Sequence, residues 1–135
     1  MTVVDTTVWI DYFRNRATPE TDWLDREVSR QRLGLTDLIL CEVLQGIADP
    51  REFDGTRAAL QQFEIFSTGG IHLAVTSAQN YQILRQQGVT VRKTIDCLIA
   101  SFCLLHNHHL LHNDRDYDPF EERLGLRVIR LSTLT

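Results

Sequence analysis

Short strand-like segments alternate with longer helical segments along this chain of 135 residues, and this alternation limits the folds open to it. Segments rich in β-branched and apolar residues are typical of strands at residues 2–4, 32–36, 64–68, 109–114 and 127–132. Apolar spacing predicts helices at residues 8–13, 19–32, 37–48, 53–63, 72–87, 93–106 and 119–125. Because strands separated by helices pair in parallel, we expect a three-layer α/β/α fold with a mainly parallel central sheet.

The length suits a single domain over residues 1–135. Residues typical of helix ends support these helix assignments. Thr18 before Pro19 is a typical helix start, and Pro50 is expected to end the preceding helix. The segment 93–106 is apolar on all sides, which predicts a helix in the middle of the domain. The three cysteines, which stand among apolar neighbours, are expected to be buried thiols.

Composition narrows the functional classes. No apolar run reaches the roughly 18 residues that cross a bilayer, and the first residues lack the basic start of a signal peptide. We therefore expect a cytoplasmic protein with no membrane contact. The net charge of −4 argues against simple binding of a phosphate backbone, although a cluster of metal-binding carboxylates would also lower it. Arginine far outnumbers the single lysine, Lys93, which fits either phosphate binding or a GC-rich genome.

Acidic residues follow two of the predicted strands. Asp5 comes directly after the first strand, and the segment HNDRDYD at 112–118 places Asp114 and Asp116 after a later one. In a parallel sheet, ligands bind beyond the carboxyl ends of the strands, where the strand order reverses. Asp5 and Asp114 are therefore predicted to face a ligand.

Two further acids stand inside apolar helices, Glu42 in LILCEVL and Asp96 in TIDCLIA. A carboxylate buried alone must shift its pKa, find a partner or bind a metal. Simpler interpretations stay open for each acid taken singly. Asp5 can be a helix cap, Glu42 an exposed residue, Asp96 a first-turn acid, and Asp116 a solvated loop residue.

Together these acids indicate metal-ion catalysis. Oxygen ligands suit Mg²⁺ or Mn²⁺, which bind phosphate oxygens. Two such ions about 4 Å apart can activate water and stabilise the leaving oxygen when a phosphodiester is cleaved. No Ser, Cys or His nucleophile is then required.

The chain resembles PIN domains, and most closely the VapC-type toxins of bacterial toxin–antitoxin modules. The resemblance is carried by VVDTTVWIDYF, LTDLILCEVLQGI, TVRKTIDCLIASFCLLHN and LLHNDRDYDPF. It implies that the metal site consists of Asp5, Glu42, Asp96 and Asp114, with Asp116 as an additional acid. It also implies that Thr6 or Thr7 supports the first aspartate. Asn113 stands where the family commonly has threonine.

The same resemblance implies a Mg²⁺-dependent endoribonuclease that cleaves structured RNA such as tRNA or rRNA, with Mn²⁺ as a substitute ion. It further implies a homodimer and a cognate antitoxin that blocks the site. The alternative is a non-catalytic module that kept the fold and acts through protein or RNA partners.

Two surfaces are also predicted. Arg92, Lys93 and Arg14 are candidates for RNA phosphate contacts, and solvated surface charge is the alternative for Arg14. An aromatic group in the first two helices is the candidate partner surface, with ordinary core packing as the alternative. Its members are Trp9, Tyr12, Phe13 and Trp23.

Other site types fit poorly. A receiver domain needs an acidic pair after the first strand and a lysine after a late strand. An aspartyl-phosphate phosphatase needs a second aspartate two residues after Asp5, where Thr7 stands. A zinc site built from His106, His108, His109 and His112 lacks the usual ligand spacing.

Overall fold

Four short strands form one parallel sheet in the computed structural model, which describes residues 1–131. They are β1 (Thr2–Val4), β2 (Leu33–Thr36), β3 (Glu64–Phe66) and β4 (His109–Leu111). The strand order is β3-β2-β1-β4, and each neighbouring pair is parallel. The central strand β1 pairs through Thr2 with Leu33 on one side and with His109 on the other.

Seven helices in the described part of the chain surround this sheet. They are α1 (Thr6–Phe13), α2 (Pro19–Glu27), α3 (Asp37–Gln45), α4 (Pro50–Leu60), α5 (Ile71–Gln86), α6 (Thr94–His106) and α7 (Asp118–Leu124), with a 3-10 turn at Arg115–Tyr117. The chain steps from β1 to β2 to β3 and then crosses back to β4. Right-handed crossovers therefore place α1–α4 on one face and α5 and α6 on the other. The predicted three-layer α/β/α fold is confirmed.

Local chemistry explains where several elements begin. The hydroxyls of Thr18 and Thr36 accept backbone N–H groups at the starts of α2 and α3, and the Asp49 carboxylate does so for α4. Pro50 is in the first turn of α4, because a helix start does not need its missing N–H. A Cβ at Gly34 would lie 2.8 Å from the carbonyl oxygen of Glu64, so only glycine lets β2 approach β3 so closely.

Several predicted boundaries were wrong. Helix α2 ends at Glu27 rather than residue 32, α3 ends at Gln45 rather than residue 48, and α4 begins before residue 53. In place of a strand at 127–132, Val128 makes one isolated bridge to Leu110, and residue 132 lies outside the described residues. Among the described residues, only Leu110 pairs with this segment, donating its N–H to the Arg127 carbonyl at 2.9 Å and accepting the N–H of Ile129 at 3.1 Å, because the edge strand β4 is only three residues long.

Burial corrects two predictions about single side chains. Trp9 is fully buried and packs against Phe63, with ring centroids 4.9 Å apart, so it belongs to the core and not to a partner surface. Helix α1 packs against α2 and α3, and the Trp9 side chain has no exposed surface. Cys41 is exposed, whereas Cys97 and Cys103 are buried as predicted. Within residues 1–131, no helix combines the length and apolar character needed to cross a membrane.

Candidate metal centre

The candidate site lies where β1 and β4 end. These two strands are neighbours, although the chain visits β2 and β3 between them, so the strand order reverses here. The backbone N–H of Asp5 donates to the carbonyl of Leu111 at 2.9 Å, which ties the two strand ends together. Asp5 precedes α1, but its side chain makes no capping hydrogen bond. The carboxylate therefore does not accept from the second or third N–H of the helix, which is where a capping side chain binds.

Three carboxylates converge at this edge. One oxygen each from Asp96, Asp114 and Asp116 lies within 4.8 Å of the other two. Asp96 comes from the first turn of α6, and the other two flank the start of the 3-10 turn. The Asp114 carboxylate accepts the backbone N–H of Asp116 at 2.9 Å, which holds both acids in one local turn. This is a spacing that one cation can bridge.

Asp5 and Glu42 lie beside this three-carboxylate cluster rather than within it. Asp5 is buried, and its Oδ1 accepts a hydrogen bond from the Tyr117 hydroxyl at 2.9 Å. Glu42 projects from α3, and its Oε1 accepts from the Thr6 hydroxyl at 2.6 Å. Thr6 thus contacts Glu42, whereas Tyr117 is the residue whose hydroxyl supports Asp5.

Burial without a counter-ion changes the acidity of two of these groups. Desolvation raises the pKa of Asp5 to about 7, against the lowering effects of hydrogen bonds from Tyr117 and from the Thr6 backbone. Desolvation also raises the pKa of Asp96 to about 6, although the Lys93 ammonium acts in the opposite direction. The charge of Glu42 contributes to the raised pKa of both aspartates. A cation at this edge would reverse these shifts.

The donor set fits a hard divalent cation. Asp96 Oδ2 is buried and has no hydrogen-bond partner among the described residues, although the other oxygen of that carboxylate faces Tyr117 at 3.4 Å. A buried carboxylate oxygen without a donor is costly unless a cation reaches it. All the surrounding ligand atoms are carboxylate oxygens, which favour Mg²⁺ or Mn²⁺ over zinc.

The remaining predicted residues fall at different distances from the acids. The Thr7 hydroxyl donates to Asn113 Oδ1 at 2.6 Å, so both lie at the exposed edge of the site. Lys93 Nζ lies 3.9 Å from Asp114 Oδ2, and Arg92 is exposed next to it in sequence. Arg14 instead lines a separate groove, with Ile10, Phe13, Val43, Gly46, Ile47, Glu52 and Thr56.

Tyr117 was not among the residues predicted for the site. It lies in the segment 112–118, between Asp116 and Asp118. An aromatic residue in so charged a loop was the available signal, since a solvated loop has no need of one. The ring is fully buried, and its hydroxyl lies between Asp5 and Asp96.

Comparison with known proteins places this chain in a family. The family model described as PIN domain matches residues 2–122. VapC ribonuclease Mb1587 of Mycobacterium bovis and ribonuclease VapC11 of Mycobacterium tuberculosis are each 30% identical to this chain over 137 residues. Each alignment covers 95% of this chain and 97% of the relative.

Solved structures of low sequence identity share the fold. VapBC2 from Rickettsia felis, bound to a DNA fragment from its promoter, gives a TM-score of 0.77 at 16% identity and covers 97% of this chain and 98% of that one. FitAcB from Neisseria gonorrhoeae gives a TM-score of 0.75 at 18% identity and covers 96% of this chain and 97% of that one. A toxin–antitoxin complex from Klebsiella pneumoniae gives 0.72 at 22% identity, with 96% and 97% covered.

Proposed function

This chain belongs to the PIN-domain family and resembles its VapC members along nearly its whole length, and we propose that it is a metal-dependent endoribonuclease. The single observation that carries the proposal is the convergence of Asp96, Asp114 and Asp116 at the ends of β1 and β4, with a buried Asp96 oxygen left unpaired. The relatives that match over 95% of the chain are named as ribonucleases, which supports the same activity.

The cofactor we propose is Mg²⁺, with Mn²⁺ able to substitute. Asp96, Asp114 and Asp116 would hold it, and Asp5 and Glu42 would complete the acidic site. A bound divalent ion supplies a water of lowered pKa and charge stabilisation for the leaving oxygen of a phosphodiester. Asp5 and Asp96 have raised pKa values without the ion, so protons compete with the cation for these carboxylates.

The substrate we propose is structured RNA, tRNA or rRNA. Its phosphates would meet Lys93, whose ammonium already lies 3.9 Å from Asp114 Oδ2, and the exposed Arg92 beside it. A cation next to an acidic site can hold the approaching backbone that the carboxylates alone would repel. Arg14 lines the separate groove and is a weaker candidate for the same role.

We propose that the chain is the toxin of a toxin–antitoxin pair in the cytoplasm. Structural neighbours include VapBC and other toxin–antitoxin complexes, which supports an antitoxin partner. Half-exposed Tyr12, Phe13 and Trp23 remain available for such a contact, whereas Trp9 does not. Phe13 also lines the groove that holds Arg14.

A homodimer is the assembly we propose for the single domain at residues 1–135. Helix α5 carries the exposed apolar side chains Ile71, Val75, Tyr81 and Ile83. A hollow between α5 and α6, which Ala74, Ala78 and Leu98 help to line, continues this apolar face. A second copy would remove this surface from water.

Purified protein free of antitoxin is incubated with total tRNA and with rRNA in Mg²⁺, Mn²⁺ or EDTA, alongside Asp96→Asn. We expect discrete fragments that require the metal and disappear in the variant. Cleavage that survives EDTA or the substitution would contradict the metal mechanism. A folded protein that binds these RNAs and cuts none of them would favour the non-catalytic binding module.

A further inference from the structure

Tyr117 is a buried phenol placed between two buried carboxylates. Its side chain is fully buried, and its hydroxyl lies 2.9 Å from Asp5 Oδ1 and 3.4 Å from Asp96 Oδ1. We propose that Tyr117 is a positioning residue, which orients Asp5 and sets its spacing from Asp96 so that their other oxygens stay available to a cation. This inference rests on the proposed metal-dependent function and deepens it.

The Tyr117 hydroxyl cannot donate a full hydrogen bond to both aspartates at once. It has one proton to donate, and the shorter distance assigns that hydrogen bond to Asp5. Asp96 Oδ1 therefore lies against the hydroxyl oxygen without a full hydrogen bond of its own. Tyr117 thereby ties one carboxylate oxygen of Asp5 to the protein and places Asp96 beside it.

The 3-10 turn and the His112 ring hold the Tyr117 side chain in place. The Asp114 carboxylate accepts the N–H of Asp116, and the Asp114 carbonyl accepts the N–H of Tyr117 at 3.2 Å. The ring of His112 packs against the Tyr117 ring with centroids 4.8 Å apart. The turn that presents Asp114 and Asp116 to the cluster therefore also directs Tyr117 inward to Asp5.

This arrangement explains why an aromatic residue with a hydroxyl is useful here. The ring alone would fill the space, as phenylalanine would, and only the hydroxyl reaches Asp5. Groups that hydrogen-bond a metal's ligands fix the orientation of those ligands, and losing one typically costs about 10–100-fold in metal affinity. Tyr117→Phe isolates this contribution, because it removes one oxygen and keeps the ring.

The test compares Mn²⁺ binding by wild type, Tyr117→Phe and Thr68→Val in calorimetric titrations. Thr68→Val is the matched control, since it also removes a buried hydroxyl that donates to an aspartate, here Asp37, which is not part of the three-carboxylate cluster. We expect Tyr117→Phe to weaken Mn²⁺ binding about 10-fold or more and Thr68→Val to leave it unchanged. Thermal melting in EDTA should show that both variants remain folded.

RNA cleavage over a range of Mn²⁺ concentrations separates positioning from a general structural role. A positioning role predicts that Tyr117→Phe needs more Mn²⁺ but approaches the wild-type rate at saturation. A rate that stays low at saturating Mn²⁺, with the affinity unchanged, would overturn the inference.

A coupling measurement adds a second readout. In an Asp5→Ala background, where the oxygen that accepts the hydrogen bond is gone, Tyr117→Phe should cause little further loss of Mn²⁺ affinity. If the two losses simply add, Tyr117 does not act through Asp5.

Failure of this inference is distinguishable from failure of the proposed function. Wild type that binds Mn²⁺ and cleaves RNA, with Tyr117→Phe equal to it in both, overturns only the role of Tyr117. Wild type that neither binds Mn²⁺ nor cleaves RNA overturns the metal-dependent function, and the inference falls with it. Should Tyr117→Phe fail to fold, the tyrosine difference spectrum of wild type on adding Mn²⁺ decides, since positioning predicts a change that Asp5→Asn diminishes.

Discussion

Asp37 and Asp96 both stand in the first turn of a helix, yet their surroundings differ. Asp37 Oδ1 accepts the backbone N–H of Leu38 at 2.9 Å and both the N–H and the hydroxyl of Thr68, at 3.2 and 2.5 Å. Asp96 Oδ2 is buried with no donor among the described residues. Internal donors thus satisfy Asp37, whereas one oxygen of Asp96 has none, which is where we propose that a cation binds. The number of donors around a carboxylate, more than its position at a helix start, separates a structural acid from a candidate ligand.

The largest effect should come from removing the charge of Asp96. Asp96→Asn should lower RNA cleavage on the order of 10³-fold, because metal stabilisation of the transition state is worth several kcal/mol. Asp37→Asn is the matched control, being the same substitution in the first turn of another helix, and should retain most of the activity. Initial rates of RNA cleavage at saturating Mg²⁺ test this contrast. Equal losses of activity in the two folded variants would contradict it.

The pH dependence of stability should sharpen the contrast. The pKa of Asp5 is raised from 3.8 to about 7, so the folded state holds a proton that the unfolded state releases. In EDTA, stability should therefore fall as pH rises from about 4 to about 7 and level off above, by roughly 2–4 kcal/mol for this group. Added Mg²⁺ should stabilise the protein more at pH 8 than at pH 5, because protons no longer compete.

Denaturant unfolding at pH 5 and pH 8, with and without Mg²⁺, measures these differences. Asp5→Asn is the control, because it cannot titrate at this position, and its stability in EDTA should depend less on pH. The same pH dependence in both proteins would mean that Asp5 is not held as a buried acid.

A smaller and purely structural effect is expected at Asp37. Asp37→Ala leaves the N–H and hydroxyl of Thr68 without their acceptor, and should cost about 2 kcal/mol of stability. Metal affinity should not change. Thermal unfolding of Asp37→Ala, Thr68→Val and the double variant should give losses that do not add, since both residues belong to one contact. A weakened Mn²⁺ titration in Asp37→Ala would erase the distinction between the two acids.

The smallest effect on RNA cleavage should come from replacing Asn113. Its Oδ1 accepts the hydroxyl of Thr7 at 2.6 Å in an exposed part of the site. Asn113→Ala should therefore cost less than about 1 kcal/mol, which is a change of a few-fold in the Mg²⁺ concentration for half-maximal cleavage. Asn113→Thr, whose hydroxyl oxygen can still accept the Thr7 hydroxyl, serves as the control. A loss as large as that of Asp96→Asn would place Asn113 in direct contact with the metal or the RNA.

The site residues that could be predicted are those whose position depends on their neighbours in the sequence. Asp5 and Asp114 follow strands whose existence depends on nearby residues, and parallel strands meet at a common edge. Tyr117 is different, since its partner Asp5 lies 112 positions away in the chain. Its hydroxyl reaches that partner only because β4 pairs with β1 and the 3-10 turn directs the ring inward.

Helix boundaries and the burial of side chains also differ in whether nearby residues or tertiary contacts decide them. The start of α2 was predicted because Thr18 and Pro19 act locally, whereas its end at Glu27 depends on how the chain enters β2. The burial of Trp9 depends on which helices cover α1. An apolar helix has the same sequence pattern whether a neighbouring helix or a separate protein covers it.

Sequence alone was enough to predict the alternation of strands and helices, the parallel sheet and the acids, because periodicity, capping and residue chemistry are properties of short segments. The tertiary structure decided which oxygens have donors, which side chains are buried and that a tyrosine lies between two aspartates. Those properties arise when segments far apart in the chain exclude water from one another, and the cost of an unpaired buried charge exists only once that has happened.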